Sequence, residues 1–256
     1  MKSKITPWFM QFENKMKFIY DEIVAACATN KKMLAILIDP DKIELENLPF
    51  LLDKIEQSPA THIFIGGSLV TNYIIDEIII VIKRKLKLPI ILFPGDPSQI
   101  SKYADGILYL NLISGRNPDY LIAHQVNAVS VLKNTELEII PTGYILVDGG
   151  KETAVQRVSN TKPIETKNID LIVDTAIAGN WMGNKLIYLE AGSGAITPIN
   201  IEVIKEVKKN ISIPLIVGGG IKNAQQINLA FVNGADIVVI GTAFEKNPNF
   251  FNINHV

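Results

Sequence analysis

Short apolar runs recur along the chain, and most of them end in Gly, Pro, Asp or Asn. Each run has the length of a β-strand, and the stretches between several runs change to a helical period. Continuous rather than alternating apolar character is typical of strands buried on both faces of a parallel sheet. The predicted strands are 34–39, 62–67, 89–95, 106–111, 138–146, 186–192, 213–219 and 236–241.

Eight strand-like runs joined mostly by helices predict a (β/α)8 barrel. The amphipathic segments 43–57 and 197–210 and the segment 224–234 are predicted helices. An open doubly wound sheet is the alternative, because periodicity alone does not show closure. Acidic residues and glycines follow the C-terminal ends of several predicted strands. A barrel brings all of these positions to one mouth, which favours the closed architecture.

The regular alternation is broken in two places. The segment 96–105 leaves little room for a helix, so we expect the third barrel helix to be reduced or replaced. Residues 1–30 have a helical pattern and predict an extra helix packed on the barrel. We therefore expect one domain over 1–256, with a helical extension at 1–30 and the barrel at 31–250. The apolar face of the extension is predicted to carry Phe9, Phe12, Met16, Ile19, Ile23 and Ala26.

Composition excludes several classes of function. Of the 256 residues, 48% are hydrophobic and 20% are charged, so a sizeable core is expected and disorder is not. The net charge of −1 argues against a nucleic-acid partner. Cys27 stands alone, which excludes a disulfide framework and a cysteine-based zinc cluster. No secretory signal or membrane span is recognisable, so we expect a cytoplasmic protein.

Two glycine-containing loops are candidates for a phosphate site. VGGGIK, with Gly218, Gly219 and Gly220, follows the seventh predicted strand, and Gly241 and Thr242 follow the eighth. Barrels often bind phosphate at these two loops, because glycine lets backbone N–H groups approach the ligand. The alternative is that the glycines merely turn the chain.

The stretch YLEAGSGA predicts a carboxylate in the pocket. Tyr188, Glu190 and Gly192 alternate along the sixth predicted strand and therefore share one face. A glutamate on the interior face can accept a proton or hold a hydroxyl of the substrate. The alternative is an ion pair at the rim of the barrel.

Other polar residues at the strand ends are weaker candidates. Asp39 and Asp41 in LIDPDK could hold a divalent ion, since carboxylate oxygens suit magnesium, but aspartate also caps turns and helices. Ser68 could bind a metal or a phosphate, or cap the next helix. Arg116 is a candidate phosphate ligand, with capping as the alternative. The three histidines lack the spacing of a metal site.

Eight motifs follow one another along the chain: LIDPDK, IFIGGS, LFPGDPSQIS, GILYLNLISGRNPDYLI, IPTGYILVDGG, YLEAGSGA, VGGGIKNAQQ and DIVVIGTAF. On these motifs the chain resembles, over about residues 31–248, the geranylgeranylglyceryl phosphate synthases and their bacterial heptaprenylglyceryl phosphate relatives. In some bacterial relatives a lysine stands two residues before the metal-binding aspartate, whereas this chain has Leu37, which favours the geranylgeranyl donor.

The resemblance implies a modified barrel whose third helix is replaced. It also implies a magnesium-dependent prenyltransferase that joins the terminal hydroxyl of sn-glycerol 1-phosphate to a polyprenyl diphosphate through an ether bond. We expect a homodimer or larger homo-oligomer and transient contact with a membrane surface. With the geranylgeranyl donor, the products are 3-O-geranylgeranylglyceryl phosphate and diphosphate.

The resemblance also assigns roles to residues. Glu190 is the expected proton acceptor, and Asp39 and Ser68 are the expected magnesium ligands. The expected phosphate ligands are Gly218, Gly219, Gly220, Gly241 and Thr242. The segment expected to contact glycerol consists of Tyr188, Leu189, Glu190, Ala191, Gly192, Ser193 and Gly194.

Three alternatives stay open. The first is the same reaction with a longer, heptaprenyl donor. The second is a sugar-phosphate isomerase or aldolase, which would share the glycine loops but would normally need a catalytic lysine or a further acid pair at the strand ends. The third is a ligand-binding protein without catalysis, because a fold does not imply a function.

Overall fold

A computed structural model describes residues 18–67 and 74–251 of the chain. Within these residues, eight parallel strands close into a barrel in sequence order, with β1 paired to both β2 and β8. The predicted barrel is confirmed, and the open sheet is excluded. The strands are β1 Met33–Ile38, β2 His62–Ile65, β3 Ile90–Leu92, β4 Gly106–Leu112, β5 Glu138–Leu146, β6 Leu186–Glu190, β7 Leu215–Gly218 and β8 Ile237–Ile240.

Helices surround the barrel everywhere except after β3. There the chain forms only a short 3-10 turn, Pro97–Gln99, before β4 begins, which confirms the reduced third helix. Among the described residues, no helix is both long and apolar enough to cross a membrane. The helices are α1 Ile19–Ala28, α2 Leu48–Glu56, α3 Ile75–Lys85, α4 His124–Leu132, α5 Ala154–Ser159, α6 Ile169–Trp181, α7 Ile201–Asn210, α8 Ala224–Val232 and α9 Thr242–Lys246.

The strand register decides which side chains enter the barrel. Tyr188 pairs with Ile216 and Glu190 pairs with Gly218, so alternate residues of β6 and β7 face the interior together. The intervening Leu189 belongs to the second core, between the sheet and the helices. Several strands end earlier than predicted. The glycines that follow them are therefore free to form loops at the mouth.

Helix α1 closes the N-terminal end of the barrel. Its Ile19 and Ile23 are buried in the interior cluster with Met33 and Ile237, which begin β1 and β8. The carboxylate of Glu138 accepts hydrogen bonds from the backbone N–H groups of Ile19 and Tyr20 at the start of the helix. The predicted extra helix is confirmed over Ile19–Ala28. Phe9, Phe12 and Met16 lie outside the described residues.

We expect Glu138→Ala to destabilise the fold by about 1–2 kcal/mol, because it removes the acceptor for two N–H groups at a helix start. Urea unfolding measures the effect. Glu136→Ala, at an exposed position two residues earlier on the chain, is the control and should change the free energy of unfolding by less than about 0.5 kcal/mol. Equal losses in both variants would contradict the anchoring role of Glu138.

Candidate active site

A cavity of about 630 Å³ opens at the C-terminal ends of the strands. The loops after strands β1, β6, β7 and β8 converge on it, as the closure of the barrel requires. The cavity therefore joins segments that are about 200 residues apart in the chain. Its lining contains the predicted site residues Asp39, Tyr188, Glu190, Ser193, Gly194, Gly219, Gly220, Gly241 and Thr242.

Glu190 is the buried carboxylate of this cavity. It ends β6, and only 6% of the residue is exposed. Its Oε1 accepts a hydrogen bond from the N–H of Gly192 at 2.6 Å. Burial raises the pKa of Glu190 to about 7, although the Gly192 N–H favours the charged form and opposes the shift. A carboxylate with this pKa can both take up and release a proton near neutral pH.

Three aromatic rings pack directly below Glu190 in the barrel interior. Phe93 stacks on Tyr188 with ring centroids 5.4 Å apart, and Tyr144 meets Tyr188 edge-on at 5.3 Å. Burial and the charge of Glu190 raise the pKa of Tyr188 well above its usual value, so its hydroxyl keeps its proton. That hydroxyl is buried beside the Glu190 carboxylate, and its interaction with the carboxylate favours the charged form of Glu190 against the effect of burial. Tyr188 is therefore a donor toward the carboxylate.

The loop after β7 needs glycine for its conformation and for its contacts. Gly219 and Gly220 have φ angles of +83° and +69°, in the left-handed region that other residues avoid. A Cβ atom on Gly219 would lie 2.4 Å from Oε1 of Glu190 and 2.6 Å from the nitrogen of Gly192. The glycine therefore lets the loops after β6 and β7 meet.

The glycine loops present unpaired donors to the cavity. The N–H groups of Gly219, Gly220 and Thr242 have no hydrogen-bond acceptor within the parts of the chain that the structure describes. Buried or half-buried backbone donors normally have a partner, so these groups suit an anion or water. The hydroxyl oxygens of Ser193 and Thr242 lie 3.1 Å apart and link the loops after β6 and β8.

Basic side chains line the cavity around these unpaired N–H groups. Lys151, Arg157, Lys222 and Lys246 are exposed and line the cavity. Lys222 donates a hydrogen bond from Nζ to the carbonyl oxygen of Ile196 at 2.7 Å, which holds its ammonium at the mouth. Clustered positive charge raises the local concentration of a phosphorylated substrate. The sequence analysis did not single out these residues, because they come from separate loops.

Not every predicted substrate-binding residue reaches the cavity. Leu189 and Ala191 are fully buried among the residues between sheet and helices, so their side chains do not line it. Gly192 contributes its N–H to Glu190. Gly218 faces the interior, where a Cβ atom would lie 2.5 Å from the hydroxyl oxygen of Tyr188. Some residues of YLEAGSG thus line the cavity, and the others pack behind the sheet or hold the loop in place.

The candidate metal residue Asp39 lines the cavity directly after β1, which neighbours β8. Its Oδ2 pairs with Nζ of Lys42 at 2.9 Å, and its Oδ1 accepts from the N–H of Asp41 at 3.2 Å. Asp39 therefore does cap a short turn, which was the alternative to metal binding. Ser68 lies outside the described residues. Among the described residues, no group of three or more His, Cys, Asp and Glu side chains is arranged to hold a metal.

A smaller, apolar cavity of about 90 Å³ lies where the third helix is reduced. It shares Gly67, Phe93, Tyr144 and Val155 with the large cavity, so the two are contiguous. Its other walls include residues of β4 and of the inner face of α4. The short segment after β3 was the only signal for it in the sequence.

For Arg116 the structure shows the capping role, which was the alternative to phosphate binding. Its Nη1 donates hydrogen bonds to the carbonyl oxygens of Gly115 at 2.6 Å and Ile113 at 3.4 Å. The residue does not line either cavity. Its guanidinium instead stabilises the turn after β4.

The fold places the protein among (β/α)8 barrels, and its candidate anion site lies after strands seven and eight, where such barrels often bind phosphate. The chain belongs to the PcrB family, whose sequence model matches residues 27–255. This match confirms the resemblance that the motifs predicted.

Named relatives are similar along most of the chain. Geranylgeranylglyceryl phosphate synthase of Flavobacterium johnsoniae is 57% identical over 233 residues, which cover 91% of this chain and 96% of that protein. The synthase of Pyrococcus abyssi is 39% identical over 222 residues, covering 86% and 87%. A crystal structure of (S)-3-O-geranylgeranylglyceryl phosphate synthase from Thermoplasma acidophilum, in complex with its substrate sn-glycerol-1-phosphate, is 31% identical with a TM-score of 0.86. The match covers 93% of this chain and 95% of that one.

Proposed function

We propose that the protein is a prenyltransferase that joins sn-glycerol 1-phosphate to geranylgeranyl diphosphate. The products are the ether 3-O-geranylgeranylglyceryl phosphate and diphosphate. One observation carries the proposal. The buried carboxylate of Glu190 lies against the glycine loop after β7, in a polar cavity that continues into an apolar one. The similarity to named synthases supports the choice of acceptor and donor.

The acceptor occupies the polar cavity in this proposal. Its phosphate binds the unpaired N–H groups of the loops after β7 and β8, and the basic side chains at the mouth attract it. Its hydroxyl groups then lie along the loop after β6, within reach of Glu190. Two of these N–H donors cost little to organise, because Gly219 and Gly220 already hold the loop in the left-handed conformation.

Glu190 removes the proton as the ether bond forms. The oxygen of the terminal hydroxyl bonds to the allylic carbon of the donor, and the bond from that carbon to the diphosphate oxygen breaks. The hydroxyl proton passes to the Glu190 carboxylate, and the electron pair leaves with diphosphate. Alignment of the two reactants supplies much of the rate, and the shift of the Glu190 pKa toward neutrality suits general-base catalysis.

The apolar cavity receives the prenyl chain of the donor. Phe93 and Tyr144 line both cavities, so their rings flank the junction at which the allylic carbon meets the acceptor. Aromatic faces stabilise positive charge that develops on an allylic group. A volume of about 90 Å³ holds only part of a twenty-carbon chain, so the remainder must lie outside this cavity.

The residues present fit a magnesium ion. Asp39 and Glu245 are two hard carboxylate donors that already bracket one cation, the ammonium of Lys42. Magnesium needs only one or two protein carboxylates beside water and phosphate oxygens. Asp39 would hold the ion together with Ser68. Bound there, it would neutralise charge on the departing diphosphate.

A transfer assay tests the proposal. Labelled sn-glycerol 1-phosphate is incubated with geranylgeranyl diphosphate, or separately with heptaprenyl diphosphate, and label in the organic extract is counted. Transfer from the geranylgeranyl donor supports the proposal, and faster transfer from the heptaprenyl donor selects the longer one. No transfer from any donor, with sn-glycerol 1-phosphate still bound, would favour a sugar-phosphate enzyme or a binding protein.

We expect Asp39→Asn to weaken metal binding by roughly tenfold or more, because the amide loses the charge that attracts the ion. Binding of Mn²⁺ followed by electron paramagnetic resonance measures the affinity without turnover. Asp53→Asn is the control, since Asp53 pairs with Lys85 away from both cavities. Unchanged Mn²⁺ affinity in Asp39→Asn would contradict the metal assignment.

A further inference from the structure

Lys42 is held between two carboxylates from opposite ends of the barrel sequence. Its Nζ lies 2.9 Å from Oδ2 of Asp39, just after β1, and 3.3 Å from Oε2 of Glu245 on α9. The side chains of Asp39 and Glu245 are only 19% and 14% exposed, whereas that of Lys42 is 45% exposed. The ammonium is therefore the accessible part of a partly buried charged cluster.

This cluster lies at the junction of the two cavities. All three residues line the polar cavity. An ideal Cβ on Gly67, which lines both cavities, would lie 3.1 Å from Oδ1 of Asp39. Glu245 is on the same short helix as Thr242, which contributes to the loop after β8. A donor with its chain in the apolar cavity and its reactive carbon near Glu190 must pass its diphosphate close to this point.

We propose that Lys42 binds the diphosphate of the prenyl donor and that Glu245 is the residue that positions its ammonium. This inference rests on the proposed function. A lysine ammonium is a compact charge that forms strong hydrogen bonds to phosphate oxygens. Glu245 is anchored on a helix, so it keeps the ammonium at the mouth when another cation takes Asp39.

The charges of the cluster imply that cation and donor bind together. Two carboxylates and one ammonium leave a net charge of −1, which repels a diphosphate. With a divalent cation on Asp39, the sign of the net charge would be reversed. Lys42 would then stay on Glu245 and offer its remaining N–H donors to the diphosphate. Lys42 and the metal would thus compete for the Asp39 carboxylate, and both would bind the diphosphate of the donor.

We expect Lys42→Met to raise the KM for geranylgeranyl diphosphate roughly 10- to 100-fold, the range for a hydrogen bond between charged groups. The KM for sn-glycerol 1-phosphate should stay within about twofold. Lys42→Arg keeps the charge and should recover most of the loss. Lys83→Met is the matched control, because Lys83 is also half-exposed and pairs with an aspartate, Asp105, at the other end of the barrel.

Two binding measurements separate this role from a general loss of structure. Titration with inorganic pyrophosphate in the presence of Mg²⁺ should show the same 10- to 100-fold loss in Lys42→Met. Mn²⁺ alone should bind more tightly to Lys42→Met, which lacks the competing ammonium. It should bind more weakly to Glu245→Gln, in which the ammonium rests on Asp39. Thermal melts confirm that each variant is folded.

The outcomes also separate this inference from the proposed function. If the wild type transfers label and Lys42→Met keeps its donor KM, or raises both KM values equally, the inference is overturned. The same holds if Mn²⁺ affinity falls in both Lys42→Met and Glu245→Gln. If the wild type transfers no label, the proposed function fails, and pyrophosphate titration still decides whether Lys42 binds a diphosphate.

Discussion

Glu190→Gln is expected to lower kcat by roughly 10²- to 10⁴-fold, the range that a positioned general base contributes. The amide has nearly the shape of the carboxylate, and its oxygen can still accept the hydrogen bond from Gly192. What it loses is the ability to take the hydroxyl proton. The transfer assay at saturating donor and acceptor measures the effect. The KM values should change far less than kcat.

The pH profile provides an independent check on Glu190. Because burial raises its pKa to about 7, the carboxyl group is protonated and inactive as a base below that pH. The activity of the wild type should therefore rise with pH through about 7, and the residual activity of Glu190→Gln should not. Glu202→Gln, on the exposed start of α7, is the control and should keep both kcat and the profile. A wild-type profile that is flat between pH 6 and pH 8 would contradict the assignment of Glu190 as the base.

The same pKa has a consequence for stability. The pKa of Glu190 in the folded state, about 7, exceeds the value of about 4.3 for an unfolded glutamate, so the folded state binds the proton more tightly. The stability that this proton binding contributes is fully present below about pH 4.3 and is lost as pH rises through 7, a loss of roughly 4 kcal/mol. The side chain in Glu190→Gln cannot ionise, so this contribution does not change with pH in the variant. The free energy of unfolding of Glu190→Gln, relative to the wild type, should therefore rise from pH 5 to pH 8. Urea unfolding at these two pH values measures the gain.

Gly219→Ala is expected to reduce transfer by more than about 100-fold and to destabilise the fold by about 2–5 kcal/mol. The new methyl group would require a left-handed conformation at φ +83° and would collide with the Glu190 carboxylate and the backbone of the next loop. Relieving the collision moves the phosphate loop and the base apart. Urea unfolding and the transfer assay measure the two effects.

Gly183→Ala is the matched control for this prediction. Gly183 also has a left-handed conformation, at φ +91°, but a Cβ atom there would meet nothing within 4 Å. It should cost about 1–2 kcal/mol from conformation alone and leave transfer unchanged. Equal loss of activity in the two variants would mean that the collision at Gly219 does not matter.

The sequence predicted the strands and the contents of the mouth because these depend on local patterns. Continuous apolar runs located all eight strands, and alternation along β6 placed Tyr188 and Glu190 on the interior face, as the register confirms. The gap between β3 and β4 indicated the reduced helix. Closure itself was inferred only from the positions of the unusual residues, since no local pattern records the pairing of β1 with β8.

Contacts between segments that are far apart in the chain could not be predicted from the sequence. Lys42 meets Glu245 across 203 positions, and Glu138 meets the start of α1 across 118 and 119 positions. Charged residues at such separations have many possible partners, and only the folded backbone selects one. The sequence also left two roles open for Arg116, and only the folded turn shows that its guanidinium donates to carbonyl oxygens nearby. The apolar cavity likewise depends on how α4 packs over β4, which a pattern does not give.

Helix α1 fills one end of the barrel, so in the part of the chain that the structure describes the loop face is where molecules enter and leave. Ligands therefore enter and leave the barrel through the same opening. Under the proposed function, product and diphosphate leave through the same opening by which the next acceptor and donor enter, so a bound product and an entering substrate exclude each other.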